Sequence, residues 1–335
     1  MKRRLLQLSL VAVGILIMTG ALARHDSALG AAKQNPKIGI VYTSPHPVIN
    51  DIIVGFKAQV LRAYPKATFF ERHANGQQSE YGTAVAATIG GQPDLIAPIA
   101  TPIAKLAVDQ ARGRIPIVFL GITDPVGAGI ARSLDHPELA TGSSDLCPFA
   151  GLLSVVRETL PGAKILGLPY NPSDQPAVFS RAQLKLLAPK YGFAIVDEQV
   201  TSASELSTQV RGLAGRVDAV VIGADNLMME NPAAVASAAA EAGRPAFACD
   251  EPSVKAGAVA GIGINYRQVG EIGGDLAVQV LGGKFPGGLP VAVLRTGTIS
   301  VNREAACRVH LTVPAAVARK ATDVTPTNAR CLAMH

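Results

Sequence analysis

The chain has no tryptophan, and only 4% of its residues are aromatic. Carbohydrate sites commonly offer a flat aromatic platform, so this scarcity argues against a sugar ligand, although Tyr42, Tyr170, Tyr266 and Phe119 remain available for stacking. No run of Lys and Arg occurs. The formal net charge is +6, and Lys2, Arg3 and Arg4 carry three of those charges, leaving about +3 for the rest, too little to imply nucleic acid or an acidic membrane as a partner. None of the cysteines, Cys147, Cys249, Cys307 and Cys331, forms a Cys-x-x-Cys, and none has a histidine at metal-ligand spacing. The chain also lacks a G-x-S-x-G elbow, a phosphate-binding G-x-x-x-x-G-K-[ST] and an H-E-x-x-H. Gly261-Ile-Gly263 begins like a dinucleotide loop but has no third glycine and comes late in the chain. Catalysis therefore has no residue-level support, and the expectation is a binding protein, not an enzyme, with neither metal nor cofactor.

Beyond the N-terminus there is no long apolar run. At the N-terminus, Lys2-Arg3-Arg4 precedes an apolar stretch from Leu5 to Met18, and Ala21-Leu22-Ala23 supplies a small-x-small cleavage pattern. This reads as a signal peptide over residues 1–23; the stretch is short for a membrane span of about 20 residues. No cysteine directly follows it, which argues against a lipid anchor, and Arg3-Arg4 lacks the rest of a twin-arginine motif. Export by the general secretory route to the periplasm is expected, without membrane insertion after cleavage. In that oxidising compartment Cys307 and Cys331 could pair and tie down the C-terminal tail, a point the sequence leaves open. Cys147 and Cys249 read instead as buried small hydrophobes.

Apolar strands that run out into polar turns are abundant. Pro116-Ile-Val-Phe-Leu-Gly-Ile122 ends in Thr123-Asp124-Pro125, Ile38-Gly-Ile-Val-Tyr42 in Thr43-Ser44-Pro45-His46, and Leu95-Ile-Ala-Pro-Ile-Ala100 in Thr101-Pro102. Ile165–Tyr170 ends in Asn171-Pro172, and Ala219–Ala224 in Asp225-Asn226. Such runs are what buried parallel strands look like, and ligands of open α/β sheets sit beyond the carboxyl ends of those strands. The alternation predicts strands at 37–42, 67–72, 94–99 and 116–122, with helices at 47–63, 79–90 and 102–112. A second series follows, with strands near 164–170, 193–198, 218–223, 245–249 and 258–263 and helices near 148–160, 174–190, 203–214 and 230–242. A helix at 266–282 comes next, then Val291–Arg295 and Thr298–Val301 as a hairpin about Thr296-Gly297.

Two β-α-β series in a mature chain of about 310 residues predict an α/β protein of two doubly wound parallel-sheet lobes. The expected boundaries are 37–144 plus 267–292 for one lobe and 145–266 plus 293–325 for the other, with hinge crossings at 141–147 and 264–268.

Thr43, Ser44, Thr101, Thr123 and Ser144 offer hydroxyls at strand ends, and Asp124, Asp145, Asp225 and Asp250 offer carboxylates. His46 is the one histidine at a strand end. Each aspartate also fits the role of helix cap or turn former. The set suits a zwitterion, its carboxylate at a helix N-terminus such as Thr101-Pro102, with Thr101 as cap, and its ammonium on an aspartate.

Taken in order, several pieces resemble one family: Ser44-Pro-His-Pro47, Asp94-Leu-Ile96, Thr101-Pro-Ile-Ala104, Ile115-Pro-Ile-Val-Phe119, Thr123-Asp-Pro-Val126, Thr141-Gly-Ser-Ser-Asp145, Tyr170-Asn-Pro172, Asp225-Asn226 and Leu311-Thr-Val-Pro314. Over residues 37–325 the chain resembles ABC-transporter substrate-binding proteins of the tryptophan/tyrosine-type branch. The resemblance implies a type I periplasmic-binding fold, a small-molecule ligand between two lobes, and an ABC permease and ATPase as partners of a monomeric binding protein. Carried over by position, it places the ligand among His46, Thr101, Thr123, Asp124, Ser144, Asp145, Tyr170, Asn171, Asp225 and Asn226; Pro102 and Asp250 join them as strand-end residues. Asp145 and Asp225 rank first for the ammonium. The expected function is delivery of an amino acid, in this branch an aromatic one, to an importer; the alternative is the ligand-sensing subunit of a signalling receptor. Ser173-Asp174-Gln175-Pro176-Ala177 departs from the family's usual Glu and later Asn-Ser, and Ala248-Cys-Asp-Glu251 is also atypical.

Overall fold

In β1 (Lys37–Tyr42), Ile38, Ile40 and Val41 have no exposed surface, as befits a parallel strand covered on both faces. The computed structural model describes residues 34–294, 297–327 and 331; the expected signal peptide lies outside them. β1 pairs in parallel with β2 (Thr68–His73) and β3 (Leu95–Pro98). Single parallel bridges, Ile96 to Ile117 and Ile99 to Leu120, carry the array on to β4 (Val118–Leu120). β4 pairs in parallel with β5 (Thr141–Ser144), and β5 with β11 (Ala292–Val293). Only 118–120 of the apolar run 116–122 joins a regular ladder.

A second, seven-stranded sheet comprises β6 (Ile165–Tyr170), β7 (Ala194–Gln199), β8 (Ala219–Ile222), β9 (Ala246–Ala248), β10 (Ala260–Gly263), β12 (Thr298–Val301) and β13 (Ala321–Asp323). Its order is β13-β12-β10-β9-β8-β6-β7, and every pair is parallel except β10 with β12. The α/β architecture of two parallel arrays agrees with the alternation in the sequence.

By sheet membership the chain passes from the first array to the second after Ser144, returns after Gly263 and passes over again between Val293 and Thr298. The return is made by helix Tyr266–Leu281, which lies against helix Pro47–Ala63. Glycines set that approach: a Cβ on Gly55 would meet the Arg267 carbonyl oxygen at 2.0 Å, and one on Gly270 would meet that of Ile52 at 2.0 Å.

The structure corrects several expectations. No hairpin joins Val291–Arg295 to Thr298–Val301: β11 pairs with β5 in the first array and β12 with β10 in the second sheet. Arg295 and Thr296 lie outside the described residues. Two short apolar segments about a glycine read locally as a hairpin, but each finds a better partner elsewhere. The helix expected at 230–242 is two, Asn226–Glu230 and Pro232–Glu241, because Pro232 has no N–H with which to continue the first. Cys147 and Cys249 are buried as expected but are bonded to each other, Cα to Cα 5.7 Å, across 102 positions. Local pattern does not reveal the pairing, because Cys147 follows β5 of the first array and Cys249 follows β9 of the second sheet. Cys307 and Cys331 also form a disulfide.

Candidate functional site

The carboxyl ends of β1, β3, β4 and β5 face those of β6 and β8 across a cleft. At its base a small chamber of about 30 Å³ is bounded by His46, Thr101, Thr123 and Asp145 from the first array and by Asp225 and Asn226 from the second sheet. Outside it the cleft widens to about 800 Å³, with Thr101 and Asn226 shared between the two spaces. The lips touch: Ser44 Oγ donates to Glu230 Oε1 at 2.7 Å.

The rim on the first array is rich in unmatched polar atoms. Helix Thr101–Ala111 begins one residue earlier than capping by Thr101 would require, so Thr101 is its first residue and Ala100 its N-cap. Ala100 has φ 72°, a conformation that favours glycine and costs of order 1–3 kcal/mol in other residues. The Thr101 hydroxyl, relieved of capping, is buried without a hydrogen-bond partner among the described residues, as is that of Thr43. His46 stands as the N-cap of helix Pro47–Ala63, and its Nδ1 is also buried and unpartnered. Burial lowers the imidazole pKa to about 4, so the ring is neutral. Two helix N-termini, each with a partial positive charge, therefore converge on the chamber beside groups able to hydrogen-bond an anion.

Asp145 opposes them. It is half-buried, accepts from Thr123 Oγ1 at 2.9 Å, and its pKa rises to about 6, first from desolvation and to a lesser degree from nearby Asp174. Asp225 is otherwise occupied: it caps helix Asn226–Glu230 through Met228 N–H at 3.1 Å and accepts from Asn171 N–H at 2.7 Å. Asp174 accepts from the backbone N–H and the side-chain amide of Asn226, both at 2.9 Å. Burial pushes both carboxyls up; Asp174 adds to the shift at Asp225, and Glu230 to that at Asp174.

Of the other expected residues, Pro102 and Asn171 line the outer cleft. Asp124, Ser144, Tyr170 and Asp250 border neither space. Asp124 holds a turn through Gly127 N–H at 2.9 Å, Ser144 donates to the Thr123 carbonyl at 3.4 Å, and the Arg181 guanidinium lies 5.1 Å from the Tyr170 ring centre. Asp250 caps helix Glu251–Ala256, receiving Ser253 N–H at 2.7 Å and Ser253 Oγ–H at 2.8 Å. Asp174 and Glu230, by contrast, belong to the cleft and escaped the sequence reading. Asp174 had one signal, its place just after the strand end Tyr170-Asn-Pro172. Among the described residues no His, Cys, Asp and Glu cluster has metal-binding geometry.

A sequence profile described as ABC transporter substrate binding protein matches residues 37–325. The chain is 30% identical over 311 residues to a tyrosine-binding protein of Clostridioides difficile (strain R20291), covering 89% of this chain and 90% of that protein. It resembles a solved ABC domain from Streptococcus pneumonia in complex with L-Trp, at 27% identity and a TM-score of 0.83, over 86% of this chain and 99% of that one. A conserved domain protein of Vibrio cholerae gives 30% identity and a TM-score of 0.83, over 87% and 99%.

Proposed function

The chain belongs to the ABC transporter substrate-binding protein family and has the fold of type I periplasmic binding proteins; we propose that it is exported and delivers a small amphoteric ligand, an amino acid, to an ABC permease and its ATPase. The family is one of solute-binding proteins, not enzymes. One observation carries the reading: the unpartnered Thr101 hydroxyl at a helix N-terminus and the desolvated Asp145 carboxyl bound the same chamber. An α-carboxylate suits the N–H groups and hydroxyl at that helix start. An α-ammonium beside Asp145 offsets the cost of ionising a carboxyl there. The tyrosine-binding and L-Trp-bound relatives agree with this class of ligand. Two disulfides suit an oxidising compartment such as the periplasm, and among the described residues no helix is long and apolar enough to cross a membrane.

In this reading the halves close about the crossings at 141–147 and 264–268, and scattering with saturating ligand gives a smaller radius than without. The decisive experiment is a thermal-shift screen, followed by calorimetry, of L-amino acids against purines and organic acids that lack an ammonium group. At 100 times its Kd a true ligand adds about 2.7 kcal/mol of stability. Stabilisation by an amino acid is expected; stabilisation only by compounds without an ammonium overturns the reading.

A further inference from the structure

Resting on the amphoteric reading, we propose that the ligand's side chain is aliphatic, held in a subsite of Ile49, Ile52 and Ile99 under Met229, and that aromatic amino acids are poor ligands of this chain. Ile49 and Ile52 project from one face of helix Pro47–Ala63, and Ile99 directly follows β3; all three are buried, and all bound the chamber that also holds Thr101 and Asp145. Met229 comes from the opposite half, on helix Asn226–Glu230, packs against the first array's apolar cluster to which these isoleucines belong, and bounds the same chamber. A side chain growing from an α-carbon between Thr101 and Asp145 therefore meets branched aliphatic groups and one flexible thioether.

No Phe or Tyr bounds this chamber. Tyr42 is turned to Glu71, to which its hydroxyl donates at 3.0 Å, and stacks on His73; Tyr170 lies under Arg181. Tyr81 borders only the outer cleft, so an aromatic side chain held in this chamber would forgo the ring-to-ring contacts that ordinarily reward it. It would also need more room. The floor at Gly121 is shut, since the Ile52 Cδ1 atom already lies 2.9 Å from where a Cβ would stand, and the chamber volume is about that of one water. Space for a side chain comes from displacement of Met229, whose unbranched chain adapts readily. A small branched group needs the least such movement. The relative that binds tyrosine differs from this chain at 70 of every 100 aligned positions or thereabouts, as its 30% identity implies, which leaves ample scope for a different side-chain subsite.

The test is calorimetry on the mature chain with L-valine, L-leucine, L-isoleucine and L-methionine against L-phenylalanine, L-tyrosine and L-tryptophan. The best aliphatic ligand should bind at least tenfold more tightly than any aromatic one, within the range that pocket size alone produces. Met229→Ala should narrow that ratio at least threefold by making room for a ring. Aromatic binding equal to or tighter than aliphatic overturns this inference while leaving the amphoteric reading intact. An unchanged ratio in Met229→Ala overturns the part given to Met229. Binding of neither group, with stabilisation only by compounds that lack an ammonium, overturns the amphoteric reading itself and this inference with it.

Discussion

The two rims of the cleft handle polarity in opposite ways. On the first array, Thr43, Thr101 and His46 present buried polar atoms that no described residue satisfies. On the second sheet, Asp174, Asp225 and Asn226 satisfy one another and the adjoining backbone, and Gln175 Oε1 is the cleft-lining polar atom left without a partner among the described residues. Burying a polar group without a partner costs of order 1–3 kcal/mol; in the proposed reading a ligand relieves that cost on the first rim, while the second serves chiefly as scaffold. An acidic residue at a strand end is therefore not equivalent to its neighbours: what matters is whether its oxygens are already spoken for.

The largest expected effect comes from the bond that ties one rim to the other side. Cys147 lies two residues beyond Asp145 on the segment leaving the first array, and Cys249 directly follows β9. Closing a loop of about 100 residues stabilises by about 4.7 kcal/mol in the chain-entropy account, against about 3.4 kcal/mol for the 24-residue span of Cys307–Cys331. Urea unfolding of the paired Cys→Ser variants should show the larger loss for Cys147/Cys249. The reverse order would mean that this bond adds strain where the comparison assigns it anchorage.

Next in size is the contrast between carboxylates. Asp145→Asn should weaken ligand binding by about 2–5 kcal/mol, the range for breaking a buried charge pair. Asp225→Asn should leave affinity within tenfold of the parent and keep the helix cap, because asparagine caps a helix as well as aspartate does. Equal losses of affinity would erase the distinction between the rims.

Asp145 also predicts a pH dependence. Its folded pKa, about 6, lies above the ordinary value of 3.8 because burial penalises the charged form. Between those values the folded state holds a proton that the unfolded state has released, so this residue's contribution is full below about pH 4 and is lost as pH rises through 6. The loss is of the order of 2–3 kcal/mol. Glu71, Asp197, Asp218 and Asp323 have lowered pKa values and act in the opposite direction. The informative measurement is therefore the difference between wild type and Asp145→Asn, whose stabilities without ligand should diverge between pH 4 and 7, with the variant the more stable at neutral pH. Parallel curves would mean that Asp145 titrates as an ordinary surface carboxylate.

Much of the fold was legible because buried parallel strands leave continuous apolar runs, as in Ile38–Tyr42 and Ile165–Tyr170. β5 was not, because Thr141-Gly-Ser-Ser144 carries no apolar signal and is a strand only through its neighbours β4 and β11. The Cys147–Cys249 bond and the separation of β11 from β12 are long-range facts that local pattern does not encode. At the site, strand ends told where polar side chains gather but not which were already satisfied. Asp250 and Asp225 look alike in sequence to Asp145, yet both are helix caps. Whether Thr101 capped its helix turned on a shift of a single residue.

That shift supplies the smallest and sharpest test. Thr101→Val keeps the shape and removes a hydroxyl that has no partner among the described residues, so unfolding stability without ligand should hold or rise slightly. Ligand affinity should fall by about 1.5–3 kcal/mol, the value of a hydrogen bond to a charged group. The mirror substitution lies in the second sheet's half: Ser253→Ala removes a hydroxyl that donates to buried Asp250 at 2.8 Å. It leaves a buried acceptor short of a donor and should cost about 1–3 kcal/mol of stability with affinity unaltered. Calorimetry and thermal unfolding on the two variants give four numbers, and the comparison requires them to cross: affinity lost without stability in one, stability lost without affinity in the other. If Thr101→Val instead destabilises the ligand-free protein and leaves binding alone, Thr101 is scaffold like Ser253, and the first rim loses its claim to the carboxylate.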